Sequence, residues 1–257
     1  MDLPFLMTSI IVSVAASLLG VFIIVRRMAL VSDVLSHVAL PGIALAFLIG
    51  INPFIGAFAA LAVVTVGIFF LERKFAVSID ALVGVAFTLA LAFGMILTPE
   101  TELGEALFGD IASVTKTDLV VAASLGLFLV GFLLVLFRRL AHATFSKEFS
   151  LEETKTDVIM EFLFLVAVAL AIALGIKVVG TLLMGAMLIL PALAAKNIGR
   201  SLKSMTVVSV MLGIIAMMGG LYLSEMLSLV PGAAIIIIGG AFFVISLGAR
   251  SLMQRTV

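Results

Sequence analysis

Cysteine and tryptophan are absent from the 257 residues, and Tyr222 is the only tyrosine. Without cysteine there are no disulfides and no thiolate metal sites. Without tryptophan, the usual aromatic belt at the membrane–water interface is thin or left to phenylalanine. Charge is also scarce: 12% of the residues, split evenly between 15 basic and 15 acidic side chains. No basic excess points to nucleic acid. No G-x-x-x-x-G-K-[ST] phosphate loop occurs, so the chain does not hydrolyse ATP by that route. Nucleophile and acid–base patterns are missing too, and no enzyme signature emerges.

Apolar sequence is what the chain has in abundance. Hydrophobic residues make up 64% of it, and the mean hydropathy is +1.40. A soluble domain holds roughly 45–50% apolar and about 25% charged residues. Long apolar runs fall at 4–25, 33–50, 54–71, 80–97, 117–137, 158–176, 178–195, 204–223 and 230–248. Each approaches the ~20 residues needed to cross a bilayer as a helix. The expected fold is an all-α polytopic membrane protein of about nine spans. Eight spans, or one re-entrant element, remain alternatives, because only Lys177 and Gly180 punctuate 158–195. The first run has no basic residue before it and is followed by Arg26-Arg27, unlike a secretory signal. It reads as a retained helix with its N-terminus outside.

The positive-inside rule tests this layout. Starting outside, the inner loops collect Arg26, Arg27, Arg73, Lys74, Arg138, Arg139, Lys147, Lys155, Lys196, Arg200, Lys203, Arg250 and Arg255. Only Lys116 and Lys177 fall outside, and the acidic stretch 98–110 lies on the same outer side. No soluble module or internal repeat interrupts the spans, so residues 1–257 read as one transmembrane domain. The longest polar insert, Arg138 to Asp157, falls in the cytoplasm and has the length of a short surface helix with flanking turns. It is either a solvated loop or a docking element for an ATPase partner.

An ionisable side chain in a span is costly and marks a functional candidate. In "LVSDVLSHVALPG" (30–42), Asp33 and His37 stand at i and i+4 on one helix face, about 6 Å apart. A carboxylate and an imidazole there suit a divalent first-row ion such as Zn²⁺ or Mn²⁺. Spacing alone leaves other roles open, a helix cap for Asp33 and a packing hydrogen bond for His37. Two ligands are also too few for a closed site. Pro41 deprives the His37 carbonyl of its partner and allows a kink, while Gly42 admits a close backbone. Pro191, downstream of Gly180 and Gly185, frees the Met187 carbonyl in the same way. Ordinary helix packing and a hinge both fit those residues.

Several segments in order resemble the permease subunits of bacterial metal-type ABC importers, the zinc, manganese and iron group. They are "RRMALVSDVLSHVALPGIALAF" (26–47), "SIDALVGVAFTLALAFGMIL" (78–97), "ALFGDI" (106–111), "KVVGTLLMGAMLILPALAA" (177–195) and "VPGAAIII" (230–237). The resemblance covers essentially the whole chain. It implies the permease fold of type II ABC importers and import of a divalent metal (Zn²⁺, Mn²⁺ or iron) across the bacterial cytoplasmic membrane. It also implies a second copy of the permease, two ATPase subunits carrying ATP-Mg and an extracytoplasmic metal-binding protein, with no permanently bound cofactor. Asp33 and His37 match positions tied to metal passage. Phe145, Ser146, Lys147, Glu148, Phe149, Ser150, Leu151 and Glu152 match the place of the ATPase-coupling helix. The chain departs from the family's usual pattern at Ser150 to Glu153 and Lys155, and where Pro231 meets Gly232 directly. An ion-coupled carrier without an ATPase is the alternative transporter.

Overall fold

The computed structural model describes residues 3–97, 115–148 and 154–255, and every regular element among them is an α-helix. In chain order they are α1 (Leu3–Val25), α2 (Ala29–Ile49), α3 (Pro53–Phe75), α4 (Ile79–Leu97), α5 (Lys116–Glu148), α6 (Lys155–Val179), α7 (Thr181–Ile198), α8 (Leu202–Leu227) and α9 (Pro231–Arg255). All but α7 are long and apolar enough to span a bilayer.

Local chemistry sets the joints. Gly50 takes a left-handed conformation after α2, so its N–H and that of Ile51 return to the carbonyls of Phe47 and Ala46. Asn52 then caps α3 by accepting from the Phe54 N–H at 2.9 Å, with Pro53 as the first helical residue. Thr154 and Asp157 form a reciprocal capping box at the start of α6. The ambiguous stretch 158–195 breaks at Gly180, whose φ of +84° suits a residue without Cβ.

Side-chain pairings give the helix directions. α5 runs parallel to α1, since Thr8 reaches the Leu119 carbonyl, Phe22 meets Phe137 and Arg26 meets Thr144. α6 is antiparallel to α1, with Phe22 against Phe164 one turn beyond Glu161, beside Arg26. α8 is antiparallel too: the Ser209 hydroxyl donates to the Ser17 carbonyl, and Gly213 packs against Ser13 and Ser17. Helix α7 therefore returns from the end where α6 finishes to the end where α8 begins. Among the described residues the chain traverses the bundle nine times. α7 is short because it is interior, touching α1, α2, α6, α8 and α9.

The interior and the exterior are both apolar. Phe22, Leu35, Leu61, Phe164, Ile172 and Leu188 are fully buried, while Ile96 is 78% and Val135 81% exposed. An apolar outside this extensive is stable only where lipid tails are the solvent. The protein is an all-α, multi-pass membrane protein.

Two boundaries differ from the sequence reading. α2 begins at Ala29, four residues before the expected start, because Arg27 turns the chain with φ +59° and the buried Met28 and Val31 dock at once. The insert expected as a separate surface helix is, through Glu148, the continuation of α5. The buried stripe of that helix simply carries on, from Leu129 and Leu133 to Leu140, Ala143 and Thr144.

Candidate functional site

Asp33 lies in the second turn of α2, not at its cap. The capping position belongs to Met28, which makes no side-chain cap bond, so the capping alternative is excluded. Ala29, Asp33, His37 and Pro41 form a half-buried stripe at four-residue intervals, while Ser32, Val34, Leu35, Ser36, Val38, Ala39 and Leu40 around it are buried. Between Val31 and Gly42 this stripe is the one face of α2 that is not buried, while Leu30 before it and Leu45 and Phe47 to Ile49 after it are exposed.

Two other helices frame the stripe. On the α7 side, Gly185 lies so close that an added Cβ would sit 3.0 Å from Asp33 Oδ1 and 3.3 Å from Ser36 Oγ. On the α4 side, Phe87 meets the His37 ring edge-on at 5.5 Å. One turn later Gly94 of α4 faces Leu40 and Pro41. The fold thus brings together segments 26–47, 78–97 and 177–195. His37 Nδ1 is buried without a hydrogen-bond partner, and Ser36 Oγ donates to the Asp33 carbonyl at 2.6 Å. A carboxylate and an unengaged imidazole nitrogen suit transient coordination of a first-row divalent ion. Among the described residues no group of three or more His, Cys, Asp or Glu assembles.

α2 stays helical through Pro41, and Gly42 lies against Gly56 of α3. A Cβ on either glycine would overlap the other's carbonyl oxygen. Pro191 is buried within α7, which is likewise continuous. Of the expected coupling residues, Phe145 is exposed near the end of α5, and Ser146, Lys147 and Glu148 finish that helix. Phe149, Ser150, Leu151 and Glu152 lie outside the described residues.

A second polar cluster was missed from sequence. Arg26, in the α1–α2 corner, donates to Thr144 Oγ1 at 2.9 Å and lies over the Phe164 ring, 4.4 Å from its centroid. Glu161 of α6 accepts from Arg73 of α3 at 2.7 Å, with side chains 7% and 30% exposed respectively. Arg73 itself lies 4.8 Å over Phe69. Arg26, Arg27, Thr144 and Glu161 line one cavity of about 490 Å³. Burial pushes the Arg26 guanidinium below its ordinary value, and the Glu161 carboxylate opposes that shift. The signal was available: Glu161 is an acidic residue inside an apolar run, as Asp33 is.

Comparison with known proteins places this geometry. The sequence pattern of the ABC 3 transport family matches residues 3–250. The manganese import system permease protein ScaB of Streptococcus parasanguinis is 34% identical, over 94% of this chain and 88% of its own length. The high-affinity zinc uptake system membrane protein ZnuB of Haemophilus influenzae is 31% identical, over 96% of this chain and 97% of its own. Among solved structures, PsaBC from Streptococcus pneumoniae in complex with Fab superposes with a TM-score of 0.80 at 31% identity, covering 94% of this chain and 89% of that one. This α-helical membrane chain belongs to the ABC 3 transport family of metal-type ABC permeases.

Proposed function

We propose that the chain is the membrane subunit of an ATP-driven importer of Zn²⁺ or Mn²⁺ in a bacterial cytoplasmic membrane. One observation carries the reading: Asp33 and His37, whose Nδ1 has no hydrogen-bond partner, belong to the one half-buried stripe of α2 between Val31 and Gly42. Zinc and manganese are what the related permeases are named for. Fe²⁺ fits the same oxygen–nitrogen donor set. Two ligands are too few for a closed site, which supports a second copy of the chain, whose stripe would face this one and supply further ligands. A weak, shared station suits transport, because an ion must leave as readily as it arrives.

With no phosphate loop in this chain, the ATP-driven reading calls for ATP-Mg on two partner ATPase subunits and for an external metal-binding protein that delivers the ion. The segment from 138 to 157, with Phe145 to Glu152 at its centre, is the proposed ATPase-coupling part of a single 1–257 domain. Pro41, Gly42 and Pro191 are the proposed points at which α2 and α7 yield during alternating access. The test has two arms. Purified from membranes, the chain brings an ATPase with it, and cells carrying Asp33→Ala or His37→Ala take up radiolabelled Mn²⁺ and Zn²⁺ about tenfold or more slowly, as for loss of a metal-site group. Assembly with the ATPase is unchanged. Wild-type uptake in both variants would remove the site assignment, and active transport by the chain without any ATPase would replace the reading with an ion-coupled carrier.

A further inference from the structure

Glu161 is, among the described residues, the one charged side chain in the buried core. It stands six residues into α6, about 9 Å of helix from the start. A lone carboxylate there is costly unless paired, and the fold pairs it with the end of α3 through Arg73 and with the α1–α2 corner through Arg26. Arg26 in turn holds Thr144 at the end of α5. Both guanidinium groups also lie over phenylalanines, Phe164 and Phe69. Those rings belong to two aromatic sets, Phe22 with Phe164 and Phe137, and Phe69 with Phe162 and Phe70.

Position matters more than strength. α5 and α6 are the two helices joined by the polar insert, and His142 near the end of α5 also faces Asp157 at 3.9 Å. Arg26 is three residues before α2 begins and seven before Asp33. The corner is recessed: Arg26 meets α6 beyond its first turn and α5 four residues before its end. Any shift of the α5–α6 pair therefore has a polar, partly buried connection to the helix that carries the proposed metal pair. Apolar contacts alone slide more easily than a carboxylate bonded to Arg73 and beside Arg26.

We infer that Arg26, Arg73, Glu161 and Thr144 form the link that passes movement of the α5–α6 connection to α2, and so to Asp33 and His37. The four are positioning residues and touch no cargo. The inference rests on the importer reading, with the ATPase acting on the α5–α6 connection. Severing the link leaves ATP hydrolysis running without productive movement of α2.

The experiment measures metal moved per ATP hydrolysed by the purified complex of full-length chain and ATPase, reconstituted with Mn²⁺ and separately with Zn²⁺. Glu161→Gln is expected to keep ATPase activity within about twofold and to lower the transport-to-hydrolysis ratio about tenfold, within the span of ordinary coupling energies. Thr144→Val removes the Arg26 contact to α5, together with the local bond to the Leu140 carbonyl, and keeps the side-chain shape. It lowers the ratio about threefold, the worth of one hydrogen bond, and decides the matter if Glu161→Gln fails to accumulate. An unchanged ratio, or transport and hydrolysis falling in proportion, overturns the inference and leaves a stability role. A wild-type complex with no ATP-dependent transport overturns the importer reading itself, and this inference with it.

Discussion

Gly185 shows how a single missing side chain shapes the site. It lies in the second turn of α7, across from Asp33 and Ser36 on α2. A methyl group at this position would press on the Asp33 carboxylate at about the closest tolerated distance, and the carboxylate is the part that can turn away. Gly185→Ala is therefore expected to leave the protein folded and to slow Mn²⁺ and Zn²⁺ uptake by about tenfold, the usual cost of disturbing a group beside a metal ligand. Uptake assays paired with size-exclusion profiles check it, and normal uptake would mean that Asp33 does not need this rotamer. Sequence made Asp33 and His37 legible because charge in an apolar run is conspicuous. Gly185 was visible only as a small residue, with no sign of which helix it would meet.

At the scale of elements, α2 and α3 form a tight hairpin whose two glycines touch backbone to backbone. Gly42 and Gly56 are 14 positions apart in sequence, on either side of the Gly50–Asn52 turn. The obstacle to a larger residue is a carbonyl oxygen, which cannot rotate out of the way. Gly42→Ala should force the hairpin open and destabilise the protein by about 1–3 kcal/mol, the ordinary cost of overpacking. A lowered thermal midpoint in detergent is the readout, and an unchanged midpoint would mean that the helices separate without penalty. The sequence reading of Gly42 as a site of close approach was correct, although Gly56 as its partner had no signature. The polar residues after Arg138 do not end α5, which continues to Glu148. The buried stripe of Leu140, Ala143 and Thr144 keeps that helix going.

For the whole molecule, alternating helix directions and the distribution of arginine and lysine make one joint statement about orientation. The absence of cysteine makes it directly testable, since a single introduced thiol is the only one present. Ser78, in the α3–α4 turn, and Ser228, in the α8–α9 turn with φ +53°, are both exposed and lie at opposite ends of the bundle. With the N-terminus outside, Ser228→Cys reacts with a membrane-impermeant maleimide added to intact cells, and Ser78→Cys reacts only after the membrane is opened. Labelling of both from outside would show that α7 or another helix does not cross. The reverse pattern would invert the topology.

Hydropathy by itself determined the membrane class, singled out the long apolar helices and the two candidate ligands, and predicts the orientation. Each of these depends on a transfer free energy that a residue carries wherever it sits in the chain. Tertiary structure alone decided that Asp33 is not a cap, that α7 traverses the bundle, and that His37 keeps a free nitrogen beside Phe87. It also decided that Arg73, Glu161 and Thr144 converge from three helices on Arg26 in the α1–α2 corner. Those outcomes depend on which faces meet, and a helix of all-round apolar sequence, like α6 or α7, carries too weak an amphipathic pattern to say which face that will be.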